Sequence, residues 1–133
     1  HIFMYSAISY LFGLRGVFFF FLQGALAVFM LEVINYLEHY GLRRIETSPG
    51  RYEAVNHRHS WNSRHRVSNW VLFNLALHTD HHKHAGRFYY ELKHAENAPQ
   101  LPAGYATMFI VALIPPLWFA KMDKRIADIG VNG

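Results

Sequence analysis

GVFFFFLQGALAVFMLEVINYL, residues 16–37, is an almost unbroken apolar stretch. A helix needs about 20 apolar residues to cross the hydrocarbon core of a bilayer, so this stretch predicts a spanning helix. Gln23 and Glu32 are polar inside it, and an acid in a membrane helix usually faces protein or water rather than lipid. The apolar stretch 2–14 precedes Arg15 and predicts either the end of another membrane segment or a tight hairpin limb.

The composition limits the chemistry that the chain can support. Of its 133 residues, 52% are apolar and only 17% are charged, below the roughly 25% of soluble domains. The chain has no cysteine and ten histidines, so a metal site must use imidazole and perhaps carboxylate, which suits iron, zinc or copper. Because the chain begins at His1 with membrane-type sequence, we expect a fragment of a longer protein or a processed one.

Six arginines follow the predicted spanning helix: Arg43, Arg44, Arg51, Arg58, Arg64 and Arg66. By the positive-inside rule they place the C-terminal end of that helix on the cytoplasmic side, in a solvated loop. They also suit a docking face for an acidic partner, and the two interpretations are compatible. Nucleic-acid binding is not expected, because the basic stretch adjoins a membrane-like helix without a recognition motif.

The rest of the chain alternates polar and apolar segments. Residues 45–60 form a polar connector, and residues 64–84 predict one amphipathic helix at or below the cytoplasmic surface. Residues 85–103 predict a loop. The apolar segment 104–120 contains Pro115-Pro116 and could be a short span, a re-entrant segment or an interfacial helix, of which we favour the last.

The fold class expected from these segments is all-α, in a fragment of an integral membrane protein. It has one to two spanning helices, a cytoplasmic helix that bears histidines and an interfacial helix. Residues 1–133 form one partial domain, with membrane segments at 1–37, a cytoplasmic metal-binding part at 38–103, the apolar segment at 104–120 and a polar tail at 121–133.

HTDHH, residues 78–82, is the strongest chemical signal. On a helix His78, His81 and His82 project from one side, because residues three and four apart are neighbours, and this spacing suits a metal ion. A ligating imidazole needs an acceptor for its other N–H, and Asp80 and Glu38 are candidates. The alternative is a surface patch of histidines. Thr79 stands where zinc hydrolases of the HExxH type carry glutamate, so zinc hydrolysis is the weaker interpretation.

His39 stands at the cytoplasmic end of the spanning helix. Taken alone it is more typical of an ordinary interface residue. If the helix of residues 64–84 packs against this end, His39 completes a ligand set with the HTDHH cluster.

The motif NYLEHYG (35–41) resembles that of the bacterial membrane-bound alkane 1-monooxygenases, and LALHTDHHKHAGRFYYEL (75–92) resembles their last histidine box. Further segments resemble the C-terminal portion of that family, and the match runs from about residue 32 to residue 129. These segments are RYE (51–53), HSWNS (59–63), SNWVLFNL (68–75), LPAGY (101–105), IPPLWF (114–119) and MDKR (122–125).

The resemblance implies a non-haem di-iron enzyme, related to membrane desaturases, in the bacterial inner membrane with its metal site on the cytoplasmic side. Such multi-pass enzymes insert one atom of O2 into the terminal C–H of a medium- or long-chain n-alkane, with electrons from a rubredoxin and its reductase. The residues that match the family's iron ligands are His39, His78, His81 and His82.

The chain lacks the family's two earlier histidine boxes, which we expect upstream of residue 1, so we expect it to be inactive alone. Positions that could line a substrate channel are Phe29, Glu32 and Leu75. The alternatives are a related fatty acyl desaturase or xylene-type methyl hydroxylase, and a non-catalytic histidine-rich membrane protein that binds metal.

Overall fold

A computed structural model describes residues 1–130 and is mostly helical, as predicted. Two short strands form an antiparallel hairpin that the sequence did not predict. Residues 131–133 of the predicted tail lie outside the described residues. The elements are helices α1 (Ile2–His39), α2 (Arg66–Val71), α3 (His78–Lys83), α4 (Tyr105–Ala112) and α5 (Pro115–Asp128), a 3-10 helix (Tyr89–Glu91), and strands β1 (Glu46–Ser48) and β2 (Arg51–Tyr52).

The chain divides into two compact units, His1–Val33 and the residues from Ile34 onward. In the first unit the helical path is interrupted at Gly13, which has a φ of 64°. The chain folds back there, since the rings of Tyr5 and Phe20 lie 5.3 Å apart. A straight helix would hold residues 15 positions apart about 22 Å from each other. The stretch 2–14 is thus the limb of a tight hairpin, one of the two alternatives expected.

Among the described residues, α1 is the one helix that is long and apolar enough to cross a membrane. Its large apolar side chains are mostly exposed, as Phe18, Phe19 and Leu26 show with 64%, 70% and 58% of their surface accessible. Such a surface is costly in water and favourable in hydrocarbon. The long helix therefore has the properties of a membrane segment.

The second unit has its own apolar core, which surrounds the fully buried Trp61 and Trp118. The end of α1, the segment around Trp61, α4 and α5 all contribute to it. Its buried members are Leu37, Leu42, Trp61, Ala76, Leu101, Tyr105, Met108, Val111, Trp118, Met122 and Ile126.

The single helix predicted for residues 64–84 is wrong, because the structure has two short helices there, α2 and α3. Phe73 and Asn74 between them have φ values of 49° and 60°, a left-handed conformation that ends a helix and that asparagine tolerates best. The Asn74 side chain also donates to the carbonyl of Tyr89 at 3.0 Å. Trp70, on the first of these two helices, is 75% exposed.

The polar tail predicted from residue 121 is also corrected, because α5 continues to Asp128. Pro115 and Pro116 begin this helix instead of ending the apolar segment. Proline fits the first helical turn, where its missing N–H would have had no partner. Trp118, Met122 and Ile126, four residues apart, are buried, so an apolar stripe holds the charged helix on the core.

Candidate metal centre

The site begins where α1 ends, and Gly41 sets that end. Gly41 has a φ of 71°, the left-handed conformation that glycine adopts without cost and that commonly stops a helix. A side chain here would also overlap Ile126 of α5. The last helical residue is therefore His39, whose carbonyl accepts from the N–H of Leu42 at 3.1 Å.

The protonation of His39 follows from its neighbour. Its Nδ1 lies 3.1 Å from the carbonyl oxygen of His59. A carbonyl oxygen can only accept, so Nδ1 must carry the proton and a neutral His39 presents a lone pair at Nε2. This arrangement, with one ring nitrogen donating to a carbonyl, is typical of histidines that bind metal through the other.

His78, on α3, also has an oxygen atom close to its Nδ1, in this case from the side chain of Glu38. Its Nδ1 lies 3.2 Å from Glu38 Oε1, and the two side chains are 8% and 2% exposed. The two atoms lie within ion-pair distance but lack the geometry of a hydrogen bond, and neither has another hydrogen-bond partner among the described residues. A carboxyl oxygen at this distance favours a proton on Nδ1, which leaves the Nε2 of a neutral His78 free. Glu38 therefore lies beside His78, one of the predicted ligands.

The two free nitrogens face each other, since His39 Nε2 and His78 Nε2 lie 3.4 Å apart. Two lone pairs at that distance repel unless a cation or a proton lies between them. Nitrogen ligands about 2.1 Å from one ion, at angles of roughly 90–110°, lie about 3.0–3.4 Å from each other. The separation of these imidazoles therefore fits a shared metal ion.

His82 joins them from the next turn of α3. Its ring centroid lies 4.3 Å from that of His78 and 5.3 Å from that of His39. One ring nitrogen from each of the three can be chosen so that all lie within 4.8 Å of one another. We call His39, His78 and His82 the histidine triad, and it could hold one metal ion.

The surroundings of His78 and His82, two members of the histidine triad, disfavour their protonation. Burial, and then the neighbouring His82, His39 and His81, lower the pKa of His78 to about 3. Burial also lowers the pKa of His82, with His39 and His81 adding to the effect. Neutral imidazole is the form that binds metal, so these shifts favour a ligand role.

The structure does not bring His81 into the histidine triad. Its ring lies 5.9 Å from the rings of both His78 and His82, on the same helix. Asp80 also differs from expectation, because its partners are His84 at 2.8 Å and Arg87 at 3.1 Å, not a predicted ligand. It also accepts from the N–H of Lys93 at 2.9 Å. Asp80 therefore anchors the segment that follows α3.

The three residues predicted to line a substrate channel lie in different parts of the chain. Phe29 and Glu32 belong to the first unit and are exposed. Leu75 is half-buried in the turn before α3, because the helix expected to carry it is broken. Their contact with substrate stays a prediction.

Residue patterns in the sequence do not reveal the groups that hold the ligands in place. The carbonyl of His59 and the side chain of Asn62 both contact the site, and neither has ligand-type spacing. The one signal for them in the sequence is the resemblance of HSWNS (59–63) to the family, and the structure shows that all five of its residues are buried.

Comparison with known proteins places these observations in a family. The chain matches the family model for fatty acid desaturases over residues 1–112. It is 53% identical over 115 residues to alkane 1-monooxygenase 1 of Pseudomonas aeruginosa, and that match covers 86% of this chain and 30% of the relative. It is 53% identical over 116 residues to alkane 1-monooxygenase 2 of Alcanivorax borkumensis, with 87% and 30% covered.

A more distant relative is the xylene/toluene monooxygenase hydroxylase component of Pseudomonas putida. It is 34% identical over 95 residues, which cover 71% of this chain and 24% of that protein. The chain spans about a third of the length of the curated relatives that it matches.

Proposed function

The chain belongs to the fatty acid desaturase family, and on that premise we propose that it is the C-terminal part of a membrane alkane 1-monooxygenase. The complete polypeptide would hydroxylate the terminal carbon of medium- or long-chain n-alkanes. The similarity to two alkane 1-monooxygenases at 53% identity, against 34% for the xylene/toluene enzyme, favours this substrate class.

The observation that carries the proposal is the 3.4 Å between the Nε2 atoms of His39 and His78. Both rings have an oxygen acceptor at Nδ1, so both can direct Nε2 at one ion. We propose that this ion is iron, which imidazole ligands suit. Exposed histidine patches do not require a buried carboxylate behind one ring, so the arrangement favours a built site over a surface patch.

Bound iron would supply the activation of O2, a chemistry that side chains alone cannot provide. One oxygen atom enters the terminal C–H bond, and the other leaves as water with two electrons and two protons. The residues of this chain would hold His39 and His78 with Nε2 directed at the ion and would keep the site partly enclosed. Glu38 keeps the proton of His78 on the nitrogen that faces away from the ion.

The second iron of the proposed pair needs ligands beyond the histidine triad. We propose that His81 contributes to it, because it lies on α3 beside His78 and His82 without joining them. Further histidines would come from the upstream part of the complete polypeptide. The test is the iron content of the complete polypeptide, with about two iron atoms per chain expected.

Activity is tested with the complete polypeptide in membrane vesicles, supplied with n-octane, O2, a rubredoxin, its reductase and NADH. We expect 1-octanol, and His78→Asn should abolish both product and bound iron. His65→Asn is the matched control, because His65 is exposed and outside the histidine triad. Conversion of an aryl methyl or fatty acyl substrate in place of octane would contradict the alkane assignment, and metal exchange without O2 consumption would contradict enzyme function.

The electron donor is proposed from charge. The arginines between residues 43 and 66 are all exposed and lie in the same unit as the histidine triad. Arg43 and Arg58 lie in the wall of an open cavity that also includes His59, the residue that accepts from His39, although the acids Glu53, Glu96 and Asp128 line the same cavity. A basic face of this kind attracts an acidic protein by long-range electrostatics, and we propose rubredoxin as that protein. The same arginines favour a cytoplasmic position for this face.

The docking proposal predicts a dependence on salt. Raising ionic strength shortens the range of electrostatic attraction, so rubredoxin-supported turnover should require more rubredoxin at high salt. Arg43→Glu with Arg58→Glu should raise the KM for rubredoxin while the bound iron stays unchanged. An unchanged KM in that variant would overturn the docking face and leave the iron site intact.

A further inference from the structure

The segment His59–Ser63 runs through the interior of the second unit and contacts both elements that carry the histidine triad. Its five residues are 8% exposed at His59 and 0% exposed from Ser60 to Ser63. We call it the buried strut. Nothing in a metal-ligand pattern requires a buried polar segment at this place, so its contacts need an explanation of their own.

One end of the buried strut holds the end of α1. The His59 carbonyl lies 3.1 Å from His39 Nδ1. The N–H of Trp61 donates to the Glu38 carbonyl at 2.7 Å, and its indole N–H donates to the Tyr40 carbonyl at 2.8 Å. Two residues of the strut thus fix the last two residues of α1 and Tyr40, which directly follows it.

The other end holds the start of α3 through Asn62. Its Oδ1 accepts from the N–H of Thr79 at 3.0 Å, and its Nδ2 donates to Thr79 Oγ1 at 2.7 Å. The next residue, Ser63, donates its N–H to the carbonyl of Ala76 at 2.9 Å. Thr79 is 2% exposed and follows His78 directly in the chain. The two hydrogen bonds between Asn62 and Thr79, which we call the clamp, are therefore one residue from a predicted ligand.

α3 needs such support because it is short and has no cap of its own. It has six residues, and its N-cap, Leu77, makes no side-chain hydrogen bond. The first N–H groups of a helix lack partners within it, and isolated helices this short are unstable in water. Asn62 satisfies one of these N–H groups from outside the helix and binds the adjacent hydroxyl at the same time.

We propose that Asn62 is a positioning residue: its two hydrogen bonds to Thr79 set His78 of α3 opposite His39 of α1 at the separation that metal binding requires. This inference rests on the proposed function, because it gives the clamp a purpose only if the histidine triad binds metal. An amide suits the clamp, since it offers one acceptor and one donor side by side. It also gives Thr79 a role, at the position where zinc hydrolases carry a glutamate.

The test measures the affinity of the complete polypeptide for Fe(II) by competition with a chelator, and the visible spectrum of the Co(II)-loaded protein. Thr79→Val removes the hydroxyl and keeps the shape, and we expect it to weaken Fe(II) binding about tenfold, as losses behind a ligand typically do. Thr79→Ser keeps the hydroxyl, so its Fe(II) affinity and the spectrum of its Co(II)-loaded form should match those of the unmodified polypeptide. Asn62→Leu should weaken binding further, because it also leaves the N–H of Thr79 unpaired.

Ser60→Ala is the matched control in the same strut. Ser60 is fully buried, and its hydroxyl has no hydrogen-bond partner among the described residues. The control should bind Fe(II) as the unmodified chain does, which separates the clamp from general disturbance of the strut. Because Asn62 and Thr79 act through one contact, the double variant Asn62→Leu/Thr79→Val should lose little more than Asn62→Leu alone.

The outcomes separate this inference from the proposed function. If the unmodified polypeptide binds Fe(II) and folded Thr79→Val binds it equally well, Asn62 does not position His78 and the proposed enzyme is unaffected. An equal loss in Ser60→Ala would also overturn the inference, since any change in the strut would then suffice. If the unmodified polypeptide binds no Fe(II), the proposed function fails and the inference with it. Should Asn62→Leu not fold, Thr79→Val and Thr79→Ser decide.

Discussion

Glu38 and His39 are neighbours in the chain but serve different rings of the candidate site. His39 presents its own Nε2, while the Glu38 carboxylate lies 3.2 Å from Nδ1 of His78 on another helix. Adjacent residues of a helix point about 100° apart, so one helix end supplies both a ligand and the acceptor for a second ligand. This geometry explains why glutamate and histidine are adjacent in NYLEHYG.

Replacing Glu38 by glutamine should weaken Fe(II) binding about 10- to 100-fold, the usual loss when the partner behind a ligating histidine is removed. The amide keeps the size of the side chain but can turn an N–H instead of an oxygen toward His78 Nδ1, so it fixes the proton on that nitrogen less firmly. The measurement is chelator competition on the complete polypeptide. Glu46→Gln, which changes an exposed acid, is the control, and equal Fe(II) affinity in both variants would contradict the role given to Glu38.

The pKa of His78 predicts how stability depends on pH in the metal-free protein. The unfolded chain protonates this residue near pH 6.5, whereas the folded chain keeps it neutral down to about pH 3. Below pH 6.5 the unfolded state binds more protons, so the free energy of unfolding falls as the pH is lowered. The stabilisation is fully present above pH 6.5 and is lost between that pH and 3.

The measurement is the Tm of the metal-free chain in detergent at pH 7.5 and at pH 5. We expect a lower Tm at pH 5 and a smaller drop in His78→Gln, which lacks the titrating group. The same drop in both proteins would show that other groups carry the pH dependence.

At the level of elements, the break between α2 and α3 determines where α3 begins. Asn74 has a φ of 60° and donates to the Tyr89 carbonyl at 3.0 Å. Asn74→Ala should lower the free energy of unfolding by about 1–2 kcal/mol, because alanine is strained in this conformation and the hydrogen bond is lost. Asn74→Gly loses only the bond and should cost less. Thermal unfolding of both variants checks this order, and an alanine variant as stable as the glycine variant would contradict it.

Sequence patterns predicted some of these elements and missed others for a physical reason. The spacing of His78 and His82 depends only on local helix geometry, and the structure has both on α3. The break at residues 73–74 depends on a hydrogen bond from Asn74 to Tyr89, which is 15 residues away in the chain. The spacing of apolar residues within 64–84 carries no information about that contact. Asn62 was missed likewise, because its partner Thr79 is 17 residues away.

At the level of the whole molecule, the number of ligands limits what the 133-residue chain can do alone. The histidine triad accounts for one ion, and His81 is the single remaining residue of the four predicted ligands. One imidazole does not complete the coordination of a second ion, since even a four-coordinate catalytic site usually takes three protein ligands. The isolated chain should therefore bind at most about one Fe(II) and form no 1-octanol with rubredoxin, its reductase and NADH.

The complete polypeptide, under the same conditions, should bind about two iron atoms per chain and form the alcohol. Iron analysis after gel filtration, together with gas chromatography of the octane extract, makes the comparison. Two iron atoms and 1-octanol from the isolated chain would mean that residues 1–133 contain the whole ligand set. The division of the iron ligands between this chain and an upstream part would then be wrong, although the contacts that hold His39 and His78 together would still explain one of the two ions.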